Sequence, residues 1–151
     1  MKLLLGRDEV DPDRPDNTGR TSLSRAASGG YEGVVKILLG REEVNPDKPD
    51  NEGRTPLSYA TRLVSDGVVK ILLEREEVNP TKPDHEGRTP LWYAALYGHE
   101  RAVRILLERE EVNPNKPDRE GHTLLMLAAR RHRQGVTALL QSHKVVTHSA
   151  T

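Results

Sequence analysis

The chain has 151 residues, with 23 Lys and Arg against 23 Asp and Glu, no Cys and no Phe. Without cysteine there is no disulfide framework, thiolate metal site or cysteine nucleophile, and a formal net charge of zero argues neither for nucleic acid nor for an anionic membrane as partner. Leu, Ile and Val total 35, a thin aliphatic core that suits a stack of small helix pairs better than a single central globule.

The charge is unevenly placed. From Arg119 onward the chain carries a net +4, so residues 1–118 carry −4. The opening MKLLLGRDEV is too short for the apolar core of a signal peptide, and no run approaches membrane-spanning length. The sequence Asn79-Pro80-Thr81 is blocked as a glycosylation acceptor by its proline. An intracellular location, cytoplasmic or nuclear, is the expectation.

One pattern organises the chain. The stretch beginning at Val44 (VNPDKPDNEGRTPLSYATRLVSDGVVKILL) recurs from Val78 and, more loosely, from Val10 and Val112, each start 34 residues after the last. A fixed period of this length marks a stacked repeat architecture, linear rather than globular. In this register Lys2–Leu5 falls on Lys36–Leu39, so residues 1–9 are expected to be the remnant of a preceding repeat, the end of its second helix, and the chain a fragment of a longer array.

Each full unit opens with a segment rich in Pro, Asp, Asn and Gly, the residues of turns. Thr21, Thr55, Thr89 and Thr123 then stand where a helix N-cap is needed, since a threonine hydroxyl accepts from a first-turn N–H. Proline suits the first helical position because its φ is preset and no N–H is required there. Short helices are predicted to start at Ser22, Pro56, Pro90 and Leu124. The small residues Ala26, Ala60, Ala94 and Ala128 would let a second helix approach closely. That second helix follows a turn marked by Gly30 and Gly98. Its apolar positions are Val34, Val35, Ile37, Leu38 and Leu39, repeated at 68–73 and 102–107. So wide a stripe predicts packing on two sides, and helices this short depend on stacking to form at all.

The run D-x-x-G-x-T-P-L (Asp50–Leu57, Asp84–Leu91), the small residues after it and the terminal V-x-x-L-L resemble ankyrin repeats over essentially the whole chain. The REEVNPDKPDNEGRTPL variant is similar to the regular ankyrin arrays of filamentous fungi, often attached to larger receptor-like proteins. The resemblance implies an all-α solenoid of stacked helix-turn-helix units with projecting finger loops. The predicted division is four repeats (10–43, 44–77, 78–111 and 112–143) and a frayed C-terminal tail (144–151).

The copies also depart from the family pattern. Paired prolines (12 and 15, 46 and 49, 80 and 83, 114 and 117) remove backbone donors and fix φ, predicting stiff fingers with little β-ladder. The histidine that often follows T-P-L is replaced by Ser24, Ser58, Trp92 and Met126, so its loop-tying hydrogen bond is expected to be lost. Val64 and His132 fall on the register of the turn glycines, where a side chain is strained if φ is positive.

No chemistry emerges from this pattern. Prolines interrupt the Asp-rich fingers where a calcium loop would need converging oxygens. The six histidines (85, 99, 122, 132, 143 and 148) show no H-x-x-x-H spacing for zinc. Exposed finger carboxylates lack the environment that tunes acid–base catalysts, and there is no phosphate-cradling glycine loop. The sequence therefore implies no enzyme, cofactor, metal or small-molecule substrate. The Arg130–Arg133 cluster is short and lacks interleaved aromatics, which argues against nucleic acid.

By resemblance, ankyrin stacks bind partner proteins, or another domain of the same longer chain, with finger tips and the concave face of the first helices. On matching positions the finger-tip residues are Asn51, Glu52, Arg54, His85, Glu86, Arg88, Arg119, Glu120 and His122. The first-helix positions are Arg62, Leu63, Leu96, Tyr97, Arg130 and Arg131. Trp92 is either an anchor beside Tyr97, as aromatics dominate interface energetics, or a filler of the gap between first helices. A regulatory or spacer segment of a larger receptor-like or enzyme protein is the alternative reading.

Overall fold

The computed structural model describes residues 11–63 and 65–149, with residues 144–149 described by backbone alone. The expected remnant at residues 1–9 and the expected strain at Val64 lie outside the described residues. The described helices come in pairs: α1 (Ser22–Gly29) with α2 (Glu32–Leu39), α3 (Pro56–Arg62) with α4 (Asp66–Leu73), α5 (Pro90–Tyr97) with α6 (Glu100–Leu107), and α7 (Leu124–Arg130) with α8 (Gln134–Ser149). All four first helices start where the caps predict. Thr21, Thr55, Thr89 and Thr123 accept from the backbone N–H of Ser24, Ser58, Trp92 and Met126 at 3.2–3.3 Å, and Pro56 and Pro90 open α3 and α5.

Each first helix packs on its own second helix and on the first helix of the next unit, and the second helices stack in a parallel row. The close approach depends on the alanines: Ala60, Ala94 and Ala128 are fully buried and Ala26 nearly so. Leucine rows thread the stack, Leu23, Leu57 and Leu91 on the first helices, continued by the partly buried Leu125, and Leu38, Leu72 and Leu106 on the second. Burying one such side chain contributes about 2 kcal/mol, which is how 7- and 8-residue helices hold together without intrinsic stability. The second helices are buried on two sides but not all round. Ile37 is exposed, and Ile71 and Ile105 are half-buried.

The turn between paired helices shows the glycine requirement directly. Gly30 and Gly98 are left-handed, with φ of 72° and 73°, and their N–H groups close the preceding helix. His132 in the same register also has a positive φ, 55°. A side chain there costs about 1–2 kcal/mol, so His132→Gly is expected to stabilise the fold by about 1 kcal/mol in thermal melts, after glycine's own entropic penalty. A loss of stability would mean that the imidazole contributes more than its backbone strain. In the second unit α3 stops one residue sooner, and Leu63 is extended (φ −110°, ψ 158°). At the end of the described chain, α8 runs from Gln134 to Ser149.

Candidate partner-binding surface

The finger loops are held by an aspartate at their tip. In the second unit, Asp50 Oδ1 accepts from the N–H groups of Glu52 and Arg54, both at 2.9 Å. Its Oδ2 accepts from Arg54 Nε at 2.9 Å and from the Tyr59 hydroxyl. Asp84 repeats this set with Glu86, Arg88 and Tyr93. In the first unit Arg25 stands where the tyrosines do and donates to Asp16 Oδ2. In the last, Asp118 is bound by the Glu120 and His122 N–H groups and by the His122 ring at 3.3 Å, while Leu127 occupies the tyrosine register. The missing T-P-L histidine is thus replaced by a tyrosine one residue later in the central units.

These ties set the local electrostatics. Burial raises the Asp50 carboxyl, but the hydrogen bonds from Tyr59, Arg54 and Glu52 outweigh it and leave the pKa below the ordinary carboxylate value. The Arg25 guanidinium, with Thr18 and Arg20, holds Asp16 well below the usual range. For Asp118, burial is again overcome by the bonds from His122 and Glu120. Burial and the neighbouring Asp50 push the Tyr59 hydroxyl up to about 12, and Tyr93 is raised for the same reasons by Asp84. Both phenols are therefore neutral donors throughout the physiological range.

Neighbouring fingers touch through one backbone bond at each tip, from Asn51, His85 and Arg119 N–H to the carbonyls of Thr18, Glu52 and Glu86. Nearer the finger base a second link recurs. Asp13 Oδ2 accepts from Asn45 N–H at 2.6 Å and its carbonyl from Lys48. Asp47 does the same for Asn79 and Lys82. Burial raises both carboxyls above their ordinary value against the pull of these donors.

The residues singled out from sequence fall into three groups. Arg54, Arg88 and His122 are turned inward onto their aspartates and half-buried; Arg54 and Arg88 also lie 5.3 and 5.6 Å from the Tyr59 and Tyr93 rings. Asn51, Glu52, His85, Glu86, Arg119 and Glu120 form an exposed row along the finger tips. At the other end of the first helices, Leu63 is 44% and Tyr97 38% exposed, with Arg130 and Arg131 exposed in the next unit. Arg62 and Leu96 are half-buried, and their carbonyls accept from His99 Nε2 at 3.1 Å and Arg133 Nε at 3.2 Å. The His99 ring also stacks on Tyr97 at 6.2 Å. Trp92 is half-buried against the core, edge-on to Tyr93 at 5.3 Å and 5.5 Å from the Arg88 guanidinium.

Tyr31 did not stand out in the sequence. At 63% it is the most exposed of the large hydrophobic side chains in the described chain, and its ring lies so close over Gly29 that any side chain there would clash. Gly29 shares the register of Leu63, Tyr97 and Arg131. The Gly29-Gly30 pair followed by a tyrosine was the available signal: the ring covers the position that lacks its own side chain. Tyr31, Leu63 and Tyr97 thus continue one apolar row from unit to unit, ending at Arg131.

Capped first helices, antiparallel second helices and glycine-cornered turns, repeated at 34 residues, define an all-α helix-turn-helix solenoid with projecting loops. Two overlapping matches to the family described as "Ankyrin repeats (3 copies)" cover residues 1–84 and 63–149. The chain belongs to the ankyrin-repeat family. Repeats of this family are generally protein-interaction modules and typically non-catalytic. A search of curated proteins found no match to the chain. No helix among the described residues is long and apolar enough to cross a membrane.

Proposed function

We propose that the chain is a protein-interaction module of four units (10–43, 44–77, 78–111 and 112–143) that binds a partner protein through its finger tips and first-helix face. The observation that carries this reading is the row Tyr31, Leu63, Tyr97 and Arg131. Large apolar side chains stand exposed on a scaffold whose first-helix alanines (Ala26, Ala60, Ala94 and Ala128) and second-helix leucines (Leu38, Leu72, Leu106 and Leu140) are buried in every unit. Exposed aromatics next to arginine are the residues that dominate interface energies. The copies agree in their cores and differ along this row, as a common scaffold with a variable surface would.

The test is capture of partners from a lysate by the parent chain and by a Leu63→Ala/Tyr97→Ala/Arg131→Glu variant. Each substitution is at an exposed position, so the melting temperature is expected to change little. Retention of the specifically captured partner is expected to fall at least about tenfold, the effect of losing a single strong contact. Equal retention by both proteins would remove this surface from consideration.

A further inference from the structure

The inter-finger link formed by Asp13 and Asp47 has no third copy. Thr81 occupies the aspartate register, and its hydroxyl is turned back to Asn79 Oδ1 at 2.8 Å. The donors on the following finger are nevertheless kept: Asn113 repeats Asn45 and Asn79, and Lys116 repeats Lys48 and Lys82. Lys48 and Lys82 are half-buried against their acceptors whereas Lys116 is exposed. A cavity of about 230 Å³ opens at this junction, lined among others by Thr81, Thr89, Leu91, Asn113 and Lys116. Glu111 also lines it, but its carboxylate is engaged by Arg109 at 3.3 Å.

We propose that this cavity receives an Asp or Glu side chain of an acidic peptide segment in a partner protein, which takes the place that Asp13 and Asp47 fill within the chain. The two earlier junctions show what the donor pair binds in an aspartate. The asparagine N–H takes a carboxylate oxygen, and the lysine ammonium takes the main-chain carbonyl of the same residue, near enough to attract the carboxylate as a charge. Those carboxylates come from the preceding finger; at the third junction the preceding finger supplies a methyl and a hydroxyl turned elsewhere. One ammonium and one N–H at an open site hold a free anion weakly. The same contacts are effective when the carboxylate is tethered to a larger interface, where the second contact is intramolecular. The inference rests on the reading of the chain as a partner-binding module, but its site lies between finger bases and not on the first-helix row.

The test follows backbone amides of the full chain by NMR during titration with the acetylated, amidated tripeptide Gly-Asp-Gly, with Gly-Asn-Gly as the uncharged control. The Asn113 amide is expected to shift along a saturable curve with the Asp peptide only, while Asn45 and Asn79, already bonded to Asp13 and Asp47, do not move. Lys116→Gln is expected to weaken the response about fivefold or more, because the attraction of the ammonium for the carboxylate is lost. Thr81→Asp restores the internal carboxylate: its Asn113 amide should resemble Asn45 and Asn79 before any peptide is added, and no longer respond. A response in Asn113 no larger than in Asn45, or equal for the two peptides, or unchanged by Lys116→Gln, overturns the proposal. Such a failure leaves the capture experiment on the Tyr97 row unaffected, and failure of that experiment leaves this one unaffected.

Discussion

Leu72→Ala is expected to cost about 3 kcal/mol of stability, within the range of about 2–5 for a buried leucine that leaves a cavity. Leu72 is fully buried in α4, in a row with Leu38 and Leu106. Both flanking second helices are themselves pinned by neighbours, so the gap cannot close by a simple shift. In a linear stack each unit is stabilised largely by its two interfaces, and loss of packing in α4 weakens both at once. Urea unfolding checks this with two probes. Far-UV circular dichroism reports all helices, while fluorescence of the sole tryptophan, Trp92, reports the third unit. The two curves are expected to coincide in the parent and to separate in the variant, as the outer pairs uncouple. A cost below about 1 kcal/mol would mean that the row is not continuous packing.

The second large effect is at the fingers. Asp50→Ala removes the acceptor of four donors at once: two backbone N–H groups, Arg54 Nε and the Tyr59 hydroxyl. Tyr59 is 5% exposed, so its hydroxyl is left without a partner and away from water. The loss of charge-assisted bonds together with an unsatisfied buried donor predicts a cost of about 3 kcal/mol at neutral pH. Tyr59→Phe removes one donor and leaves the carboxylate its other three, so about 1 kcal/mol is expected. The double variant should cost less than the sum, because the stranded hydroxyl is gone.

The pH dependence follows from the depressed carboxyl of Asp50. Its stabilisation is complete above the unfolded carboxylate value of about 4 and is lost as pH falls through the lower folded value. Asp13 and Asp47 act in the opposite sense: their raised folded values mean that charging them costs stability, a cost relieved as pH falls through those values. Denaturant unfolding of parent and Asp50→Ala at pH 7 and pH 3 should show the difference between them shrinking at the lower pH. An undiminished gap would assign the cost to lost packing and not to the ionised carboxylate.

The helices were legible in the sequence because their signals are local. Thr at the cap, Pro after it and an alanine facing the partner helix each act within a turn, and a 34-residue period repeats the reading at fresh positions. The finger ties were not legible in the same way. The Asp50–Tyr59 bond spans a loop and a helix start, and the resemblance directed attention to a histidine register that this chain leaves as Ser24, Ser58, Trp92 and Met126. The position one residue later, Arg25, Tyr59, Tyr93 and Leu127, held the answer, since three of its four side chains are long enough to meet the aspartate and two of them do so as tyrosines. Of the surface residues, Leu63 and Tyr97 were found by register. Arg54 and Arg88 look like exposed finger-tip charges in sequence, yet each closes on the aspartate four residues before it. Tyr31 escaped because it is not in the register of the row it completes.

The links between units have a direction. The hydrogen bonds that join units at the fingers, beneath the second helices and at the helix corners are donated by the later unit to the earlier. They lie at the finger tips, at the finger bases, beneath the second helices from Arg109 to Leu73, and at the helix corners from His99 and Arg133. The solenoid is therefore a vector, with donors facing one way along its axis and acceptors the other. Each inner unit meets its two neighbours with chemically different faces, donors toward the earlier unit and acceptors toward the later. A substitution that removes a donor on one unit thus strands an acceptor only on the unit before it.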